Sequence, residues 1–147
     1  MTYFRSFQLQ ELTRMLKKSL EGVLSQKESD ELISAFDQIG EIIIVRIPDS
    51  LISKKRIIGK TLLEEVKIAK SVFYQTSAVE GDFRTRNLEI LAGEDNTETE
   101  YKEFGCKFTV DVENTFFSPR LSTERERIAN LIQDGETMIN MFAGVGM

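Results

Sequence analysis

The chain has 147 residues, 41% hydrophobic and 29% charged, proportions of one folded domain or slightly more, which excludes a wholly disordered polypeptide. It holds no histidine, no tryptophan and one cysteine, Cys106, which excludes Ser-His or Cys-His nucleophiles, histidine-ligated zinc and an intrachain disulfide. The formal net charge of −5 argues, on average, against a nucleic-acid binder.

From Phe7 to Leu24, the residues Leu9, Leu12, Leu16, Leu20 and Val23 recur at helical spacing and predict an amphipathic helix. Ser25 and Glu28 form a capping-box pattern that restarts a short helix through Ile33. Ile42 to Ile47 is almost continuously β-branched, the texture of a buried strand, and Pro48 ends it. The longest apolar run there stops at Arg46, far short of the roughly 18 residues of a membrane helix. Leu51 to Lys70 is predicted to be helical with a break near Gly59, and Val72 to Gln75 to be a strand before a Glu80-Gly81-Asp82 turn. A meander is expected next, with strands at Leu88–Ala92, Thr97–Phe104 and Lys107–Val112. Thr123 and Glu126 suggest a second capping box, for a helix burying Ile128, Leu131 and Ile132 and ending at Gly135. Thr137 to Phe142 then reads as a buried strand that opens a βαβ unit. The expected architecture is α+β: a small helical and antiparallel-sheet domain over residues 1–113, then the first helix and strand of a Rossmann-like domain over 114–147, cut short.

Charge is segregated along the chain. Ile44 to Arg86 carries nine basic residues against five acids, whereas Asn87 to Glu113 carries eight acids against Lys102 and Lys107. Lys54, Lys55 and Arg56 are therefore candidate phosphate contacts, although a charge run of this kind ordinarily means a solvated helix face with pairs such as Lys60–Glu64. Three further segments can carry chemistry. In Phe142-Ala143-Gly144-Val145-Gly146, glycines after a strand let a ligand approach the backbone; a plain tight turn has the same composition. In Phe117-Ser118-Pro119-Arg120-Leu121-Ser122-Thr123-Glu124-Arg125, guanidinium groups can hold phosphate and a carboxylate can accept a proton; the alternative is capping with surface ion pairs. In Glu80-Gly81-Asp82-Phe83-Arg84-Thr85-Arg86, both arginines fall on one side of an extended segment, which also describes an ordinary exposed edge.

Taken together with Leu91-Ala92-Gly93-Glu94 and Thr97-Glu98-Thr99, these segments resemble the archaeal and eukaryotic tRNA (guanine-N1) methyltransferases, from about Phe36 to the last residue. The resemblance implies methylation of guanosine at tRNA position 37 from S-adenosylmethionine, a sulfonium donor that needs no metal. It places Arg84 by the guanine O6, where negative charge develops once N1 loses its proton, and Glu124 as the base that removes that proton. It places Arg86, Arg120 and Arg125 on the tRNA or beside Glu124, and Phe142, Ala143, Gly144, Val145 and Gly146 on the cofactor. Phe116 stands where members often have tyrosine, and Asn140 where they tend to have aspartate. The cofactor-ribose acid and the loop beside the target base are not in the sequence, so the chain alone is expected to be inactive. A cytoplasmic monomer acting on the anticodon loop, away from membranes, is expected. The alternatives are an aminocarboxypropyl transferase of the wyosine pathway acting at the same position and a non-catalytic tRNA-binding module.

Overall fold

The computed structural model describes residues 18–28, 36–76, 86–141 and 144–145. Its centre is a four-stranded sheet of β1 (Phe36–Ile39), β2 (Ile42–Val45), β3 (Ser71–Gln75) and β4 (Leu88–Gly93), in that spatial order. β1 and β4 run antiparallel to their neighbours, whereas β2 and β3 are parallel. Parallel neighbours require a crossover, and a 3-10 turn at Asp49–Lys54 followed by helix α1 (Lys55–Glu65) provides it. A separate antiparallel hairpin joins β5 (Glu98–Glu103) to β6 (Cys106–Asp111). A 3-10 turn at Pro119–Leu121 then leads into helix α2 (Ser122–Ala129).

Strand alternation divides the core into two layers around this sheet. Ile43, Val45, Val72 and Leu91 pack against Leu51, Ile58, Leu62 and Val66 of the crossover and against Leu20 and Leu24. On the other face, Ile42, Ile44 and Phe73 pack against Tyr101, Val110, Val112 and Phe117. Both faces of β2 are covered, which is why its sequence is unbroken Ile-Ile-Ile-Val and not an apolar–polar alternation.

Several expectations hold. Ser25 and Glu28 cap reciprocally: the Ser25 N–H donates to the Glu28 carboxylate at 2.7 Å and the Glu28 N–H to Ser25 Oγ at 3.4 Å. Lys54 adds a bond at 3.0 Å. Together the Ser25 N–H and the Lys54 ammonium hold the Glu28 pKa at about 2. Leu20 is buried as its spacing predicts, while Leu9, Leu12 and Leu16 lie outside the described residues.

Others are corrected. Helix α1 does not break at Gly59: it runs through it and stops at Glu65. A Cβ at Gly59 would collide with the Leu91 side chain, so this glycine lets the helix lie close on β4. The three expected meander strands exist, but they do not form one meander. β4 pairs with β3, and β5–β6 crosses to the opposite face of the sheet. Gly93 makes that switch, with φ +86° and no room for a side chain, since a Cβ there would strike the Lys70 carbonyl oxygen. Gly93→Ala is therefore expected to cost at least about 2 kcal/mol, combining left-handed strain with the clash, with a lowered urea midpoint as the readout.

Beyond Pro119 the expectations fail more broadly. Leu121 precedes α2 without a side-chain cap, because the preceding 3-10 turn already feeds the helix; Thr123 and Glu126 lie within it rather than at its start. Ile128, Leu131 and Ile132 are exposed, and residues 137–141 form no strand, with Ile139 at 83% and Met141 at 82% exposure. A strand needs a neighbour's backbone groups, and among the described residues none lies beside this segment.

Candidate functional site

The segment from Phe116 to Arg127 is pinned at the junction of the two sheets. Phe117 is buried and its ring meets Tyr101 edge-on, with centroids 4.8 Å apart. Arg86, itself only 8% exposed, donates to the Phe117 carbonyl at 3.1 Å. Burial depresses the Arg86 pKa, partly offset by Asp37. Arg125 stacks over the Phe117 ring at 5.2 Å and donates to Glu103 through two nitrogens, at 2.6 and 2.7 Å, and to the Ser118 carbonyl at 3.1 Å. Arg120 reaches β1, with contacts of 2.8 and 3.0 Å to Asp37. The turn and the start of α2 are thus tied to β1 and β5 by forked guanidinium–carboxylate pairs.

This arrangement sorts the residues that the sequence singled out. Arg120, Glu124 and Arg125 fall on one continuous element, as expected. Arg86 is corrected from an RNA contact to an interior residue, because its guanidinium serves the Phe117 carbonyl rather than solvent. Arg125 is largely spent on Glu103, whereas the Arg120 side chain remains 63% exposed beyond its pair. Glu124 lies on the exposed face of α2, gripped by Arg127 at 2.6 and 2.8 Å. That partner lowers its pKa below the ordinary carboxylate value, opposite to what a base at neutral pH needs. Arg84, Phe142, Ala143 and Gly146 lie outside the described residues.

Gly144 adopts φ +55°, and a Cβ there would meet only the Phe116 carbonyl oxygen, at 4.0 Å. Glycine is therefore needed at this position for its backbone angle and not for space, which fits a turn that presents main-chain groups. Val145 packs partly onto the hairpin-side core.

Part of the basic stretch has acidic partners in space. Lys54 pairs with Glu28 at 3.0 Å, Lys55 with Glu89 at 2.7 Å and Lys60 with Glu64 at 3.9 Å. Arg56 is exposed. The linear segregation of charge thus partly cancels because β4, from the acidic stretch, lies beside α1. Sequence reasoning missed Glu103, Asp37, Tyr101 and Phe104. The first two anchor arginines far away in sequence, and no local pattern marks such partners. An open groove of about 980 Å³ runs between the hairpin, the β1–β2 turn and α2, lined among others by Gln38, Tyr101, Phe104, Arg120 and Thr123. Among the described residues, no cluster of three or more His, Cys, Asp or Glu could hold a metal, and no helix is long and apolar enough to cross a membrane.

A pinned arginine-rich turn over a two-sheet core, followed by Gly144 in the left-handed region, defines a mixed α+β unit. Comparison makes this specific. Residues 16–97 match the TYW2 N-terminal domain and residues 99–147 the TRM5/TYW2 methyltransferase domain, so the two matches meet where the four-stranded sheet gives way to the hairpin. The chain belongs to the TRM5/TYW2 family. It is 44% identical over 115 residues to the tRNA (guanine(37)-N(1))-methyltransferase Trm5b of Pyrococcus abyssi, covering 78% of this chain and 35% of the relative. It is 40% identical over 144 residues to Trm5b of Methanocaldococcus jannaschii, covering 95% and 43%. Among solved structures, Pyrococcus abyssi Trm5b superposes with a TM-score of 0.72 at 41% identity, covering 84% of this chain and 38% of that one. A complex of aTrm5 with tRNALeu gives 0.70 at 32% identity, covering 80% and 36%. Methanocaldococcus jannaschii Trm5 with adenosine gives 0.71 at 33%, covering 92% and 38%. The chain spans less than half the length of these relatives.

Proposed function

We propose that the chain is part of a tRNA methyltransferase that transfers a methyl group from S-adenosylmethionine to N1 of guanosine at position 37. The observation that carries this reading is the 40% identity over 144 residues to Methanocaldococcus jannaschii Trm5b, a match long enough to run through the entire Phe117–Arg125 segment. The sheet domain and the Arg120 side chain position tRNA. The 142–146 segment holds the cofactor, a role supported by the left-handed backbone at Gly144 and by the adenosine-bound relative. Bound there, S-adenosylmethionine supplies an electrophilic methyl group on sulfur. Arg84 stabilises the negative charge on O6, and Glu124 accepts the N1 proton once the target base displaces Arg127 and shields the carboxylate from water. The apolar surface of Ile128, Leu131, Ile132, Met138, Ile139 and Met141 is what the first helix and strand of a parallel sheet bury against the rest of that sheet.

The decisive assay compares the intact gene product on tRNA transcripts with guanosine or adenosine at position 37. Methylation is expected at N1 of the guanosine and on no adenosine transcript; absence of methyl transfer to the guanosine transcript overturns the reading. The 147-residue chain by itself is expected to be inactive. A second reading, aminocarboxypropyl transfer, is favoured by the match of residues 16–97 to the TYW2 N-terminal domain and by likeness to Pyrococcus horikoshii TYW2, though at 28% identity. The mass of the group added to the nucleoside separates the two.

A further inference from the structure

The tip of the β5–β6 hairpin contains a residue that folding does not ask for. Its two turn residues are Phe104, with φ +47°, and Gly105, with φ +82°, so both take positive φ, as type I′ geometry demands. Asn-Gly or Asp-Gly suits that turn; a bulky aromatic in the left-handed region is strained, and strain of this kind concentrates at functional positions. No packing explains it, because Phe104 is 49% exposed and belongs to neither core cluster. A Cβ on Gly105 would meet nothing within 4 Å, so no neighbour presses on the turn either. Yet the tip is held firmly. Glu103, immediately before it, receives the two-nitrogen grip of Arg125 from α2, the helix that also carries Glu124.

Phe104 faces the open groove together with Lys102, Arg120, Ser122 and Thr123, groups that can meet phosphate and ribose. Four carboxylates also line this groove, and three have a cationic partner: Glu41 with Lys70, Glu100 with Lys102 and Lys107, and Glu103 with Arg125, while Glu126 stands on α2. Three of the four negative charges are thus offset, and RNA entering the groove meets the remaining one, Glu126, at the α2 edge. We propose that Phe104 is a stacking platform for an unpaired nucleobase of the RNA, presented beside α2 by the Glu103–Arg125 pair. A flat exposed ring next to a guanidinium and hydroxyls is how single-stranded bases are held without sequence readout. The inference rests on the chain acting on tRNA, and names one of its contacts.

The test uses the 147-residue chain, a tRNA transcript and a fully paired RNA duplex, with affinities from fluorescence anisotropy and stability from thermal melts. Phe104→Asn relieves the turn and removes the ring; it should bind tRNA roughly 5- to 100-fold more weakly, with an unchanged or raised melting temperature. Its duplex affinity and the slope of its salt dependence should not change, since no phosphate contact is lost. Phe104→Trp should restore tRNA binding. Unchanged tRNA affinity in Phe104→Asn overturns the proposal, as does an equal loss on duplex RNA or a clearly lowered melting temperature, which would make Phe104 a packing residue. Wild-type chain that binds no tRNA instead removes the reading on which the proposal rests.

Discussion

Replacing Arg125 with methionine is expected to destabilise the chain by about 2–4 kcal/mol, much more than an ordinary surface ion pair is worth. The Glu103 side chain is 7% exposed and that of Arg125 20% exposed, so the single variant strands a carboxylate away from water. Tyr101 Oη, which donates to Glu103 at 3.1 Å, cannot compensate for a missing guanidinium. The variant also removes the donor to the Ser118 carbonyl and the cation over the Phe117 ring, loosening the turn from the hairpin. Glu103→Met with Arg125→Met should recover most of the loss, because two apolar side chains of similar length leave no unpaired charge. Urea unfolding of both single variants and the double variant supplies the coupling energy, with an unchanged m-value as the check on two-state behaviour. If Arg125→Met costs under about 0.5 kcal/mol, the pair is decoration and the pinned junction is wrong.

The same junction shows where sequence reasoning stops. Strands β2 to β6 were legible because β-branched runs and period-two alternation act on neighbouring residues, within the reach of a pattern. β1 escaped notice: Phe36-Asp37-Gln38-Ile39 has a polar centre, and it is a strand because Ile42–Val45 offers it an edge. Partners were less legible than elements. Nothing in Leu88–Gly93 tells whether it pairs forwards with β5 or backwards with β3; the decision comes from Gly93, whose missing side chain lets the chain turn at Lys70. The family segment was legible as a motif, yet the destination of its arginines was not, since Arg120 finds Asp37 across 83 positions of sequence and Arg125 finds Glu103 across 22. Buried stripes were overpredicted at Ile128, Leu131 and Ile132, because hydrophobic spacing says that a face wants covering and is silent on what covers it.

Glu124→Gln in the intact enzyme is expected to lower kcat by roughly 100- to 10,000-fold with little change in KM for tRNA, the span typical for removing a general base. The geometry makes this a sharp test. Glu124 is exposed and bound by Arg127, so a merely structural role would be a surface pair whose loss changes rate and stability very little. The pH profile adds a second readout with a definite sign. Arg127 holds the Glu124 pKa below its ordinary value, so this carboxylate stays ionised into mildly acidic solution. Arg127→Gln removes that bias and lets the pKa rise, so the acidic limb of kcat/KM should move to higher pH, whereas in Glu124→Gln that limb should vanish from the residual rate. An acidic limb that stays in place in both variants would assign the titration to another group, and a loss smaller than about threefold in Glu124→Gln would remove Glu124 from the proton transfer altogether.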